Sequence, residues 1–374
     1  MKKRRASGAR AKVRYAVIGQ GYISQVAVLP AFAHARRNSI LTALVSDDER
    51  KLRTLGRRYR VSRLCNYDEV DELFSSGDID AVYIALPNSM HAEYTVRAAR
   101  AGLHVLCEKP MAVTTRECEQ MIEETRRARV KLMIAYRLHF ERANLEAARI
   151  VRSRRLGDIR YFDSQFSMQV KAGNIRLDCE LGGGPLYDIG IYCINAARSA
   201  FAAEPTQAWA TATNSRDPRF KEVPETVTAV LRFPQDRVAS FTCSFGAADR
   251  SAYEVVGTRG SLRMEPAYEY AEGLAFEVTI GGRKRRRQFV KRDQFAPELL
   301  YFSDCVLRDR EVEPNGEEGL ADVRVIEALR ESMTSGRFVA TELAQRDQRP
   351  TLAQEIRRPA VRKPKLVDVR TPHS

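Results

Sequence analysis

Val13-Arg14-Tyr15-Ala16-Val17-Ile18-Gly19-Gln20-Gly21-Tyr22-Ile23-Ser24 decides the fold. The first six residues read as a buried strand, and the two glycines that follow permit a tight turn into a helix. Gly19 and Gly21 let the backbone approach a pyrophosphate, which would rest on the helix N-terminus beside Tyr22 and Ile23. Ser24 stands where a third glycine or alanine is usual and is small enough for close helix–strand packing. A lone G-x-G is a weak signal. Here it sits at the chain's first strand, with a strand before it and a helix after it, and that context gives it weight.

Working outward, apolar runs at 13–18, 40–45, 81–86, 104–107 and 131–136 alternate with helical spacing at 22–36, 47–59, 67–75, 89–101 and 114–129. Continuous β-branched runs alternating with helices predict a parallel sheet covered on both faces. After a helix at 139–154, strands follow without helices between them: 159–170, 207–214, 224–233, 237–247, 252–257, 260–264 and 275–280. Many alternate apolar and polar residues, which predicts an antiparallel sheet with one covered face. Helices are expected at 185–201, 295–308 and 318–333. The expected fold is therefore α/β: an N-terminal doubly wound Rossmann sheet over 13–136, then an α+β domain over 137–340 with a large, mostly antiparallel open sheet. A basic arm at 1–12 and a basic arm or tail at 341–374 flank them.

The 374 residues carry a formal net charge of +14, which raises the question of nucleic acid. Residues 1–14 hold seven basic residues and no acid, and residues 342–374 hold a net +4, so the body between them is nearly balanced. No helix-turn-helix, aromatic RNA-binding string or zinc pattern accompanies the basic ends, and no nucleic-acid partner is expected. The apolar runs are far short of a membrane span, and no apolar stretch follows the basic N-terminus, so neither membrane nor secretion is expected. Seven cysteines without a C-x-x-C suggest thiols in a reducing cytoplasm. Five scattered histidines give no support to a metal site. Met133 and Met168 read as core, and Arg283–Arg287 as a solvated hairpin edge that discourages edge pairing.

Two further stretches carry chemistry. The second strand ends at Val45, followed by Ser46, Asp47, Asp48, Glu49, Arg50 and Lys51. An acid at that end would bond a ribose 2′-OH, whereas Ser46 with Arg50 and Lys51 suits a 2′-phosphate, so NADP is expected over NAD. Asp47 keeps NAD open, because a register shift of one residue would bring an acid to the position. Glu108-Lys109-Pro110 ends the strand at 104–107, at the carboxyl edge where open α/β sheets bind ligands. Leu181–Tyr192 is a glycine-rich loop entering a helix, with Asp188 and Tyr192 four apart and so on one face. Lys109 could assist a tyrosine base if that helix docks over the sheet edge. A surface lysine and a core tyrosine are the bland alternative.

With LPNSMHAE at 86–93, HVLCEKPM at 104–111, YRLH at 136–139 and GGGPLYDIGIY at 182–192, the chain resembles the Gfo/Idh/MocA oxidoreductases over about 13–340. Tyr192, where most of that family has histidine, is similar to the branch around bacterial glucose–fructose oxidoreductase. The resemblance implies that Lys109, Tyr192 and Asp188 are catalytic, with Tyr192 exchanging a proton as hydride moves between a sugar and nicotinamide. It implies that Leu86, Pro87, Asn88, His91, Glu108, Lys109 and Arg137 line the nicotinamide side, and that Arg137, Arg176, Asp188, Lys109 and Tyr192 meet the substrate. Ile175 replaces the tryptophan of a family W-R-L string, and Phe140 a tyrosine, which leaves the sugar open. His139 is as readily structural as functional.

The expected activity is NADP-dependent hydride transfer at C1 of an aldopyranose. In the branch it resembles, a second sugar takes the hydride from retained NADP(H), giving aldonolactone and alditol. The alternatives are a dehydrogenase of xylose, dihydrodiol or 1,5-anhydrofructose type with exchanging cofactor, and a non-catalytic NAD(P)-binding regulator, against which the retained Lys109 argues. A homo-oligomer, dimer or tetramer, is expected through the C-terminal sheet.

Overall fold

The computed structural model describes residues 11–346 and 349–371. Six short strands, most of them buried on both faces, form the first sheet: β1 (Val13–Ile18), β2 (Ser39–Val45), β3 (Arg63–Cys65), β4 (Ala81–Ile84), β5 (His104–Glu108) and β6 (Leu132–Ala135). All pairings are parallel, in the order β3-β2-β1-β4-β5-β6, the doubly wound dinucleotide-binding order. The order reverses between β1 and β4, and the crevice that opens there begins at Gly19. β3 was not expected, because three residues are too few to show a period.

A π turn, Ser24–Val28, runs into α1 (Leu29–Ala31), so the first helix stops short of the predicted residue 36. Then come α2 (Glu49–Tyr59), α3 (Val70–Ser75), α4 (His91–Arg100), α5 (Thr115–Arg127) and α6 (Arg142–Arg152). Thr114 and Glu117 close a capping box at the start of α5, each bonding the other's backbone amide.

The second sheet has nine strands: β7 (Ile159–Ser167), β8 (Gln207–Thr213), β9 (Thr226–Phe233), β10 (Arg237–Ser244), β11 (Arg250–Gly257), β12 (Gly260–Met264), β13 (Ala275–Ile280), β14 (Arg283–Gln288) and β15 (Val339–Ala340). Their order is β14-β13-β12-β11-β7-β10-β9-β8-β15, antiparallel except where β10 runs parallel to β7. Phe162, Ser164 and Phe166 of β7 point inward while Tyr161 and Gln165 point out, the period-2 alternation of a one-faced sheet. α7 (Ile191–Phe201) packs on β7, and α9 (Gly316–Ser335) packs on β8 and α5.

One helix departs from the expected division. α8 (Ala296–Arg308), assigned by sequence order to the second half, packs on β1 and β2. Leu299, Leu300 and Phe302 join Tyr15, Val17 and Leu44 in one apolar cluster, and the Tyr15 hydroxyl bonds Ser303 Oγ at 2.7 Å. Chain order alone could not reveal that return.

Of the basic N-terminal arm, residues 1–10 lie outside the described residues. The C-terminal arm is extended and lies on its own chain. Its anchor is a buried ionic cluster around Arg198, which is fully enclosed and bonds Glu204, Glu318 and Asp322. Arg346 and Arg349 of the arm complete the balance at Glu318 and Glu204, both at 2.7 Å. Among the described residues no helix is long and apolar enough to cross a membrane. Removing one partner from such a cluster strands the others in a low dielectric. Arg198→Met should cost about 3–5 kcal/mol, seen as a lower urea midpoint, whereas an unchanged midpoint would contradict this account.

Candidate active site

The glycine turn is built for close approach. Gly19 has φ +90°, and a Cβ there would lie 2.5 Å from the Ala85 carbonyl oxygen at the end of β4. A Cβ at Gly21 would meet nothing within 4 Å, so the backbone faces open space where a pyrophosphate fits. Ser24 does more than stay small: its hydroxyl donates to the Gly19 carbonyl at 2.6 Å and locks the turn.

β2 ends at Val45; Ser46, the next residue, is buried, and Asp47 is exposed. Asp48 caps α2 by accepting from the Lys51 amide at 2.8 Å, which holds its carboxyl below the usual range, and the Lys51 ammonium lies 3.6 Å away. Arg50 is 81% exposed and reaches Asp368 of the C-terminal arm at 3.6 Å. The expected basic pair is therefore present, with each member beside a carboxylate.

Glu108 closes β5 and accepts from the Tyr83 hydroxyl at 2.8 Å. Burial pushes its pKa up, against the pull of Lys109, Tyr83 and Arg137. Glu298 of α8 lies behind it, fully buried, with both carboxyl oxygens lacking a partner, and burial and then Glu108 drive its pKa well above the usual range.

Lys109 is where the two sheets meet. Its ammonium donates to the Asp188 carbonyl at 2.7 Å and to Asp188 Oδ1 at 3.2 Å. Burial opposes the charge, but Tyr192, Asp188 and Glu108 outweigh it and hold the Lys109 pKa above its ordinary value. Arg176 Nε donates to Asp188 Oδ2 at 2.6 Å, and Asn174 Oδ1 accepts from the Arg176 amide at 3.2 Å. Although burial favours its neutral form, Asp188 is held far below the usual carboxylate range by Arg176 and Lys109.

Two cations lie over the Tyr192 ring. Lys109 Nζ is 4.9 Å and the Arg137 guanidinium 5.0 Å from its ring centroid. Buried Arg137 donates to Gln294 Oε1 and the Tyr268 carbonyl, so a residue just past β6 is fixed by the second half of the chain. Asp188 lies in a π turn, Leu186–Gly190, entered from Gly184 at φ +114°, instead of a regular helix. Even so, Asp188 bonds Lys109 and the Tyr192 ring lies beside its ammonium.

The loops of the two halves dock tightly. Asn88 Nδ2 donates to the Gly182 carbonyl at 2.8 Å, and a Cβ at Gly182 would lie 2.9 Å from the Asn88 Cβ. Leu86 and Pro87 are half-buried beside them. His91 departs from its expected place: it is 1% exposed, and its ring nitrogens lie 2.8 and 3.0 Å from the Pro110 and Leu86 carbonyls. It ties two loops together from behind and does not face the groove. His139 is likewise structural, bonded to Asn195 Oδ1 at 2.9 Å and stacked on Tyr136. Burial lowers the pKa of both histidines.

Residues 13–136 match the oxidoreductase family with an NAD-binding Rossmann fold, and residues 144–263 match the GFO/IDH/MocA C-terminal domain. The chain belongs to the Gfo/Idh/MocA oxidoreductase family. A D-xylose 1-dehydrogenase [NADP(+)] of Haloarcula marismortui is 33% identical over 328 residues, 86% of this chain and 91% of that protein. The structure of an aldose-aldose oxidoreductase from Caulobacter crescentus, complexed with glycerol, superposes with a TM-score of 0.84 at 38% identity, covering 88% of this chain and 99% of that one. A 3-ketoreductase from Actinomadura kijaniata, in complex with NADP and TDP-benzene, gives 0.78 at 27% identity over 86% of this chain and 98% of that one.

Within this Gfo/Idh/MocA site, sequence reasoning missed Asn174, Tyr268, Gln294 and Glu298. Asn174 had a readable signal, two residues before Arg176; the others are brought in by long-range packing. Among the described residues no group of three His, Cys, Asp or Glu side chains gathers as for a metal ion.

Asp188 contributes stability above about pH 4, its unfolded value, which is lost as pH falls toward its depressed folded value. Asp188→Asn should cost about 1–3 kcal/mol at pH 7 and flatten the acid limb of stability below pH 4. Urea titrations from pH 7 to pH 2 check this, and parallel limbs for both proteins would contradict it.

Proposed function

We propose that this protein oxidises the C1 hydroxyl of an aldopyranose to a lactone with NADP+, and that it returns the hydride to a second sugar without releasing the nucleotide. The observation that carries the reading is Tyr192 with Lys109 and Arg137 over its ring, and Lys109 tied to Asp188 at the carboxyl edge beside the glycine turn. The NADP-named xylose dehydrogenase and the aldose-aldose oxidoreductase likeness support the substrate class.

Gly19 and Gly21 cradle the pyrophosphate, Tyr22 and Ile23 begin the helix over it, and Ser46, Arg50 and Lys51 receive the 2′-phosphate. Leu86, Pro87, Asn88 and Glu108 border the nicotinamide end. When bound, the nicotinamide supplies the hydride acceptor. Lys109 donates to the sugar O1 and orients it; Tyr192, acting as a phenolate with both cations over its ring, takes the O1 proton as hydride leaves C1, and returns that proton to the second sugar as the hydride is handed on. Asp188 and Arg176 hold Lys109 in place and bond neighbouring sugar hydroxyls. Gly21 facing open space supports the fit of the dinucleotide.

The outer face of the second sheet exposes Tyr161 and Val238 on paired strands, which supports a homo-oligomer formed through that face. All seven cysteines are free thiols, in keeping with a reducing cytoplasm. A second reading, favoured by the 33% identity to the xylose dehydrogenase, is the same oxidation with freely exchanging NADP(H).

Protein purified without added nucleotide should show the absorbance of bound NADP(H), bleached and restored by successive sugars. Recovery of empty protein that turns over only with excess NADP+ would favour the second reading. Lys109→Ala should lower kcat/KM for the aldose by about 100-fold or more; activity within tenfold of the parent would remove Lys109 from this role.

A further inference from the structure

Residues 365–371 cross from the dinucleotide half of the molecule to the loop that carries Arg176. The Lys365 carbonyl accepts from Arg58 Nη1 at 2.6 Å, at the far end of α2. Val367 is held as a strand residue would be: its amide donates to Gln25 Oε1 at 2.8 Å, and its carbonyl accepts from Gln25 Nε2 at 2.9 Å. Gln25 is fully buried, four residues beyond Gly21, on the helix that begins at the glycine turn. Leu366 and Val367 pack on the apolar cluster of the first sheet together with Tyr22 and Ile23.

The segment then turns at Asp368, a left-handed residue with φ +46°, whose carboxylate lies 3.6 Å from Arg50. Two residues later it has reached the other half. Arg370 Nη1 donates to the Gly173 carbonyl at 2.5 Å, and Asn174 Nδ2 donates to the Thr371 carbonyl at 3.2 Å. Asn174 is the residue that accepts from the Arg176 amide. A Cβ at Gly173 would lie 2.6 Å from the Arg370 guanidinium, so the glycine makes room for the contact.

A chain spans at most about 3.5 Å per residue, so Asp368 to Arg370 covers about 7 Å. The segment therefore links Arg50 to the Gly173 loop through two residues and the Arg370 side chain, while bonded to Gln25 just past the glycine turn. A dinucleotide lying from Gly21 to Ser46 would sit inside that link. Its 2′-phosphate would compete with Asp368 only for Arg50, an exposed and weak pairing, and the other polar contacts would persist.

We propose that residues 365–371 form a strap that retains NADP(H) and links its release to the position of the Arg176 loop. The strap lies beyond the residues matched by either family model. The inference rests on the NADP reading above and goes further by naming what holds the nucleotide in.

The test is the dissociation rate of NADPH, followed by its fluorescence after mixing with excess NADP+. It compares the full chain with a chain ending at Pro364, with Arg370→Ala and with Val367→Pro, which removes the amide donor to Gln25. Dissociation should quicken at least tenfold in the shortened chain and at least threefold in each point variant. The single-turnover rate of aldose oxidation by NADP+-loaded protein, which needs no nucleotide release, should stay within threefold of the parent. If the shortened chain fails to fold, the two point variants decide. Unchanged dissociation in all folded variants overturns the strap and leaves the proposed activity standing. A full chain that holds NADPH and oxidises no aldose overturns the activity and leaves the strap to be judged on its rates. A full chain that binds no NADPH overturns both.

Discussion

An ammonium group cannot be buried at the end of a parallel strand without a counter-charge, because desolvation costs more than any packing there returns. Lys109 is in that position at the close of β5, and the rest of the site follows from its need. Asp188 supplies the charge from the other half of the chain, and is itself held ionised by Arg176, which Asn174 fixes in turn. For Asp188 to arrive, the glycine-rich loop must lie directly on the edge of the first sheet. Gly182 and Gly183 allow this: a Cβ at Gly182 would strike Val113, and one at Gly183 would lie 2.5 Å from the Arg176 carbonyl. The cleft between the two sheets is thus closed around one ion pair, and Tyr192 is brought against Lys109 by the same docking.

Much of this was legible in the residues. The parallel sheet could be read because strands buried on both faces are continuously apolar, and the second sheet because its strands alternate. The glycine turn, Lys109, Asp188 and Tyr192 stand in short strings whose chemistry is local. What could not be read has partners far away in sequence. The return of α8 to β1, the meeting of Arg198 with Glu318 and Asp322, and that of Arg50 with Asp368 join residues a hundred or more apart and leave no periodic trace. His91 shows the opposite error. A polar residue in a loop at the sheet edge looks like a ligand, but here the ring is buried against two backbone carbonyls and its N–H donates to one of them.

The charge that first suggested a polyanionic partner has a different use in the described part of the molecule. Arg346 and Arg349 enter a buried cluster rich in carboxylates, Arg358 donates to the His34 carbonyl and Arg370 to that of Gly173. The basic C-terminal arm is fastened to its own chain, and its last described residues bond the loop of Gly173 and Asn174. Composition gave the excess of charge; only the fold shows that carbonyls and carboxylates of the same chain absorb it.

The central claim is that hydride leaves C1 of an aldose at the site formed by Lys109 and Tyr192. The most direct measurement follows deuterium from an aldose labelled at C1. The account predicts deuterium at C4 of the nicotinamide recovered from the protein, a slower initial rate with the labelled sugar, and loss of both in Lys109→Ala. Deuterium retained at C1 of the oxidised product would contradict it.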